Sequence, residues 1–113
     1  EVAQSIKFNT LSKTKQIDRA ETVDEAVAVL ISEMNLKDLN TLANMPEDDL
    51  INLHFTVRIW IRNNFIYPRN EKLLQSCREV SGDKYLHWAQ MHMVIIKELW
   101  KRLQETHKLK VIQ

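Results

Sequence analysis

The chain has 113 residues and a formal charge of +1, with one glycine, Gly82, and two prolines, Pro46 and Pro68, where average usage would give roughly eight and six. A glycine-rich phosphate loop and a dinucleotide fingerprint need several glycines at fixed spacing, so both are excluded. A β-sandwich or barrel is disfavoured, because its many tight turns need residues that accept positive φ.

Charge is unevenly distributed. Residues 22–50 hold one Lys and seven acids, a net of −6, and residues 51–113 hold eleven Lys and Arg and five acids, a net of +6. The two halves are expected to fold against each other and neutralise, although a basic half also suits nucleic acid or an acidic partner. Cys77 is the lone cysteine, which excludes an internal disulfide and fits a reducing compartment. No apolar run reaches the ~18 residues of a membrane span.

Residues 1–21 are polar, and only Val2, Ile6, Phe8, Leu11 and Ile17 offer sizeable apolar surface. They are expected to form a flexible arm, in which the two-residue alternation of Val2, Ile6 and Phe8 permits a short strand. A single helical domain is expected over 22–107. Thr22-Val23-Asp24-Glu25 is a capping box: the Thr22 hydroxyl accepts from the Glu25 amide, and the Glu25 carboxylate reaches back to Thr22. It predicts a helix over about 23–34 with Val23, Ala26, Val27, Leu30, Ile31 and Met34 on one face, closed by Asn35. Leu36, Leu39 and Leu42 predict a short second helix ending near Asn44.

Pro46, followed by Glu47, Asp48 and Asp49 at the positive end of a helix dipole, signals another start. From Ile51 to Ile61 apolar residues alternate with others, which in isolation is a strand pattern. A lone strand would leave its backbone groups unpaired. On a helical wheel the same residues leave a narrow polar face of Asn52, Thr56 and Asn63. A mostly buried central helix over about 46–64 is therefore expected.

Residues 65–70, Phe-Ile-Tyr-Pro-Arg-Asn, are expected to form a loop, with Pro68 biasing Tyr67 toward extended backbone. Asn70 caps a helix over about 71–80 that carries Leu73, Leu74, Cys77 and Val80, and Ser81-Gly82-Asp83 ends it. A long amphipathic helix over about 84–106 follows, on which Leu86, Ala89, Met93, Ile96, Trp100 and Leu103 recur at spacings of three and four. Residues 108–113 are expected to fray. The fold class is all-α, four to five helices around one core, with the 46–64 helix at its centre.

The histidines, His54, His87, His92 and His107, do not have metal-ligand spacing. His87 and His92 are five apart and face different ways, His92 in the apolar arc and His87 on the polar side. With one cysteine there is no structural zinc set, and no metal or cofactor is expected. Cys77 lies among Leu73, Leu74 and Val80, the setting of an inert packed thiol. Glu47, Asp48 and Asp49 suit the helix dipole without any catalytic role. No triad or carboxylate pair can be placed, so a small hydrolase is the weakest of the functional classes, and the chain is expected not to be an enzyme.

His54, Arg58 and Arg62 are four residues apart and form one ridge inside a mostly apolar helix. Charges in such a setting require partners. Two roles stay open: pairing with acids of the 22–49 region, or lining a groove that takes an anionic group. The arginine fork suits both. Trp100 is core by its spacing. Trp88, at the edge of the last helix's apolar face, and Tyr67 in the loop either fill the core or serve as surface anchors.

Asp49-Leu50-Ile51-Asn52-Leu53-His54-Phe55 and Ile61-Arg62-Asn63-Asn64-Phe65 resemble the motif of a family of small bacterial proteins classed as a domain of unknown function. The resemblance covers roughly residues 22–104 and includes Val94-Ile95-Ile96-Lys97-Glu98-Leu99-Trp100. It implies an all-helical fold and no particular activity. Three departures stand out. Arg58 occupies a spacer where the family tends to carry Gly, Ile66–Asn70 replaces a Gly/Trp-rich loop, and Ser81–Lys84 replaces a His-Pro-Asp-Asp turn. Asn63 and Asn64, at the end of the central helix, suit a clasp that holds the 65–70 loop, and clasp and loop together suit a recognition site.

These features favour a non-enzymatic module that binds a protein partner through His54, Arg58, Arg62, Asn63, Asn64, Tyr67 and Arg69. The alternative is a nucleic-acid-binding accessory protein that uses Arg58, Arg62, Arg69, Lys72, Arg78, Lys97, Lys101 and Arg102 of the basic half. A homodimer through the C-terminal helix stays open, and no membrane insertion is expected. A cytoplasmic location is favoured. Because the chain begins at Glu1 rather than Met, export stays open.

Overall fold

The computed structural model describes residues 19–52 and 55–108. These are mainly helical, with no strand among them: α1 (Val23–Glu33), α2 (Leu36–Ala43), α3 (Phe55–Ile61), α4 (Glu71–Ser81) and α5 (Met91–Leu103). A 3₁₀ segment, Glu47–Asn52, precedes α3, and a π turn, Arg62–Ile66, extends it. A 3₁₀ turn, Trp88–Gln90, opens α5, and a second π turn, Gln104–Lys108, prolongs it.

Local sequence signals set most boundaries. Thr22 Oγ1 accepts from the Glu25 amide at 3.1 Å, while the Glu25 carboxylate reaches one residue further back than expected, to the Glu21 amide at 2.9 Å. Asn35 does not close α1 but starts α2, accepting from the Asp38 amide at 2.8 Å. Gly82 ends α4 in the left-handed conformation, φ 76°, which glycine adopts without a side-chain clash.

The organising element is α5. It packs against α1, α2, α4 and the Glu47–Asn52 segment, and Met91, Ile95, Ile96, Leu99 and Leu103 are buried along it. They meet Val23, Ala26, Val27 and Leu30 of α1, Leu39 and Leu42 of α2, and Leu73, Leu74 and Cys77 of α4 in one core. Side chains of α5 and its extension also satisfy carbonyls near the end of α2, which the helix itself leaves without donors. The Trp100 indole N–H donates to the Met45 oxygen at 2.8 Å, and Gln104 Nε2 donates to the Ala43 oxygen at 2.8 Å. The acidic and basic halves fold onto each other as expected. Arg102 pairs with Asp24 and Lys97 with Glu47 at 3.3 Å, while Lys72 pairs with Glu21, just before the acidic half, at 3.6 Å.

Two spans differ in detail. The described parts of 46–64 are largely helical but segmented rather than one continuous α-helix. In the 3₁₀ segment, three residues per turn place Leu50 inward and leave Ile51 74% exposed, and in α3 only Val57 and Ile61 are buried among the described side chains. This stretch is less central than α5. The last helix begins later than residue 84. Asp83 Oδ1 accepts from the Tyr85 amide at 2.9 Å, and His87 forms a capping box with Gln90, so 83–87 is a turn. The buried stripe accordingly runs through Met91, Ile95, Ile96, Leu99 and Leu103, while Ala89 is exposed and Met93 and Trp100 are half-buried. That stripe packs within the chain's own core.

The expected arm overlaps the described residues only at its end, where Ala20 is buried and Arg19 is bonded to the domain. The Val2–Phe8 strand, the rest of the arm and residues 109–113 lie outside the described residues. No helix among the described residues is long and apolar enough to cross a membrane.

Candidate functional site

A groove of about 710 Å³ opens between the end of α3 and the start of α5, a size within the range of ligand pockets. Arg58, Arg62 and Ile66 form one wall, Tyr67, Pro68 and Arg69 form the rim, and His87, Trp88, Ala89 and His92 form the opposite wall.

The first wall depends on the π turn. The Tyr67 amide donates to the Arg62 oxygen at 2.7 Å, five residues back, so the helix widens as it ends. Such widened turns recur at functional sites. Phe65 and Ile66 are buried in it, and Arg58 and Arg62 remain exposed toward the groove. The rim is held from afar. Arg19 donates to the Tyr67 oxygen at 2.8 Å and the Arg69 oxygen at 2.6 Å. Asn70, 6% exposed, donates to the oxygens of Ala20 and Phe65 at 2.9 and 2.7 Å and accepts from the Leu73 amide at 3.1 Å. The opposite wall is positioned by the turn before it. Arg78 Nε donates to the Leu86 oxygen at 3.0 Å, and the His87 ring accepts from the Ala89 amide at 3.2 Å. Arg69 spans the two sides: its guanidinium lies over Trp88, 5.1 Å from the ring centroid, and pairs with Glu71 at 3.0 Å.

The electrostatics are one-sided. Three arginines line the groove, and none of its described lining residues is an acid. His92, half-buried between them, has its pKa held below the usual value, first by burial and then by the Arg58 and Arg62 charges, against a hydrogen bond with the Ala89 backbone. Its charged form is therefore disfavoured, and with its ring N–H engaged by the Ala89 backbone it presents an acceptor nitrogen. Arg62 joins no described ion pair. Arg102 and Lys97, rather than Arg62, make the described ion pairs between the basic half and the acidic one.

The structure thus brings together Arg58, Arg62, Tyr67 and Arg69 of the expected site. His54 lies outside the described residues. Asn63 is exposed and does not line the groove. Asn64 donates back to the Trp60 oxygen at 2.9 Å, so the clasp on 65–70 is made by Asn70 and Arg19 instead. Sequence spacing did not reveal His87 and His92 as groove residues. A helix starting at 84 separates them on different faces. The later start and the capping box instead put both in the groove wall with Trp88. Arg19 sits in a polar stretch with no pattern to mark it.

Elsewhere, Cys77 is buried and its thiol is pushed up to about 12 by desolvation. Among the described residues no group of three His, Cys, Asp or Glu is placed to hold a metal ion. The aromatic pair Trp60–Phe65 packs edge to face, 5.3 Å between centroids, behind the first wall.

A family model described as a domain of unknown function (DUF6794) matches residues 21–103, a span that includes every residue lining the groove. No curated protein and no solved structure matches the chain.

Proposed function

The chain belongs to the DUF6794 family, and we propose that it is a non-enzymatic protein-interaction module whose contact surface is the groove between Arg58, Arg62 and Trp88. The observation that carries this reading is the convergence of arginines, Tyr67, Trp88 and a neutral His92 on one open concave surface. Arginine, tyrosine and tryptophan are the residues that dominate binding energy at protein interfaces. Catalysis has less support. Among the described residues the lining holds no carboxylate, thiol or hydroxyl nucleophile apart from the Tyr67 phenol, and the buried Cys77 stays a neutral thiol.

Site-specific photo-crosslinking in cells that express the chain tests the reading. A photoreactive residue at Tyr67 is expected to give a discrete protein adduct that Arg62→Glu abolishes. The same residue at Tyr85, 80% exposed and outside the groove lining, is expected to give none of that adduct. Equal labelling from both positions, or no protein adduct at all, would refute it.

A further inference from the structure

Resting on that reading of the groove, we infer that its ligand is an acidic peptide segment. A carboxylate side chain is received by Arg62 with Arg58, and a neighbouring apolar side chain lies against Trp88 and Ile66.

The charge argument is direct. Two guanidinium groups one helical turn apart face a groove without an acid among its described lining residues. The planar fork binds a carboxylate through paired hydrogen bonds. The apolar argument is independent. Ile66, Pro68, Trp88 and Ala89 supply surface that a small free anion would leave unused. Peptides that alternate acidic and apolar side chains use both kinds of surface. His92, neutral between the walls, adds hydrogen bonding rather than a further charge.

A phosphate polymer fits less well. It binds through a track of available cations, yet five described basic side chains away from the groove have partners within the chain. Lys72 holds Glu21, Lys97 holds Glu47, Lys101 holds Glu98, Arg102 holds Asp24, and Arg78 holds the Leu86 oxygen. Arg69 covers one face of Trp88, which removes that face from base stacking.

The test is fluorescence anisotropy with the full chain at physiological salt. The probes are a synthetic peptide alternating Glu and Leu, its Gln–Leu and Glu–Ser counterparts, and an oligothymidylate. The Glu–Leu peptide is expected to bind at least about tenfold more tightly than either counterpart and than the oligonucleotide. Arg62→Gln is expected to weaken it by about tenfold. Lys101→Gln, on the exposed face of α5, is expected to leave it unchanged, with unfolding midpoints confirming that both variants fold. Equal binding of the Gln–Leu peptide, tighter binding of the oligonucleotide, no peptide binding, or no effect of Arg62→Gln would each overturn the inference. A groove-specific protein adduct without any preference for the acidic peptide would sink this inference and leave the interaction reading standing. Peptide binding without a cellular adduct would do the reverse.

Discussion

The side-chain amide of Asn70 donates to the main-chain oxygen of Ala20, 50 positions earlier in the chain, at 2.9 Å. Its second amide hydrogen reaches the Phe65 oxygen and its own oxygen caps α4 at the Leu73 amide. One buried side chain therefore closes three backbone groups. They belong to the approach to α1, the end of the π turn and the first turn of α4. The groove rim, Tyr67 to Arg69, lies between two of those anchors.

Replacing Asn70 by Ala is expected to lower stability by about 3 kcal/mol. That figure combines a lost helix cap with buried carbonyls left without donors. Asn70→Asp keeps the acceptor for Leu73 but turns a carboxylate toward two carbonyl oxygens, and is expected to be no less damaging. Urea unfolding monitored by tryptophan fluorescence measures both. A loss below about 1 kcal/mol for Asn70→Ala would show that water substitutes for the amide.

Arg19 acts on the same segment from the solvent side. Its two bonds to the Tyr67 and Arg69 oxygens are exposed, so Arg19→Ala is expected to cost no more than about 1 kcal/mol. The effect should be local instead. Trypsin cleavage after Arg69 should accelerate, and the Glu–Leu peptide should bind more weakly because the rim must be ordered during binding. An unchanged cleavage rate would mean that Asn70 alone holds the rim.

Much of this architecture was legible in local signals, and the groove was not. Thr22 at the start of α1, Asn70 before α4 and Gly82 after it are short-range devices, and each acts where its spacing places it. The stretch after Pro46 was legible as helical but not as segmented, because a 3₁₀ segment exposes Ile51 and buries Leu50. The start of α5 was misplaced because the His87 capping box uses an imidazole where Ser, Thr, Asp or Asn is the usual signal. The ridge of Arg58 and Arg62 could be read from its four-residue period. Its opposing wall, about 30 positions later, is set by tertiary packing that no periodicity records.

Cys77 yields a clean chemical prediction. The thiol is buried against the core and held neutral up to about 12. A thiol reagent should leave the native chain unmodified and react stoichiometrically once urea unfolds it. The sign of the linkage follows. The unfolded thiol ionises near its ordinary value of 9.0, whereas the folded one keeps its proton, so Cys77 lowers stability as pH rises from 9.0 toward 12. Cys77→Ala should remove that contribution, at the cost of a small cavity. Rapid modification of the native chain would contradict the burial.

His92 works in the opposite pH direction. Burial and the Arg58 and Arg62 charges hold its pKa below the ordinary value of 6.5. As pH falls through 6.5 the unfolded chain takes up a proton before the folded one does, so the proton favours unfolding. The contribution of His92 to stability is present above 6.5 and is lost as pH falls toward its folded pKa. Urea midpoints between roughly pH 7.5 and 5 should therefore decline more in the parent chain than in His92→Gln. The same group reports on the ligand. A carboxylate seated by Arg62 offsets the positive field on the imidazole, so the Glu–Leu peptide should raise the His92 pKa in an NMR titration and the Gln–Leu peptide should not. A His92 that titrates at or above the ordinary histidine value in the free chain would remove the field from the arginines on which this coupling depends.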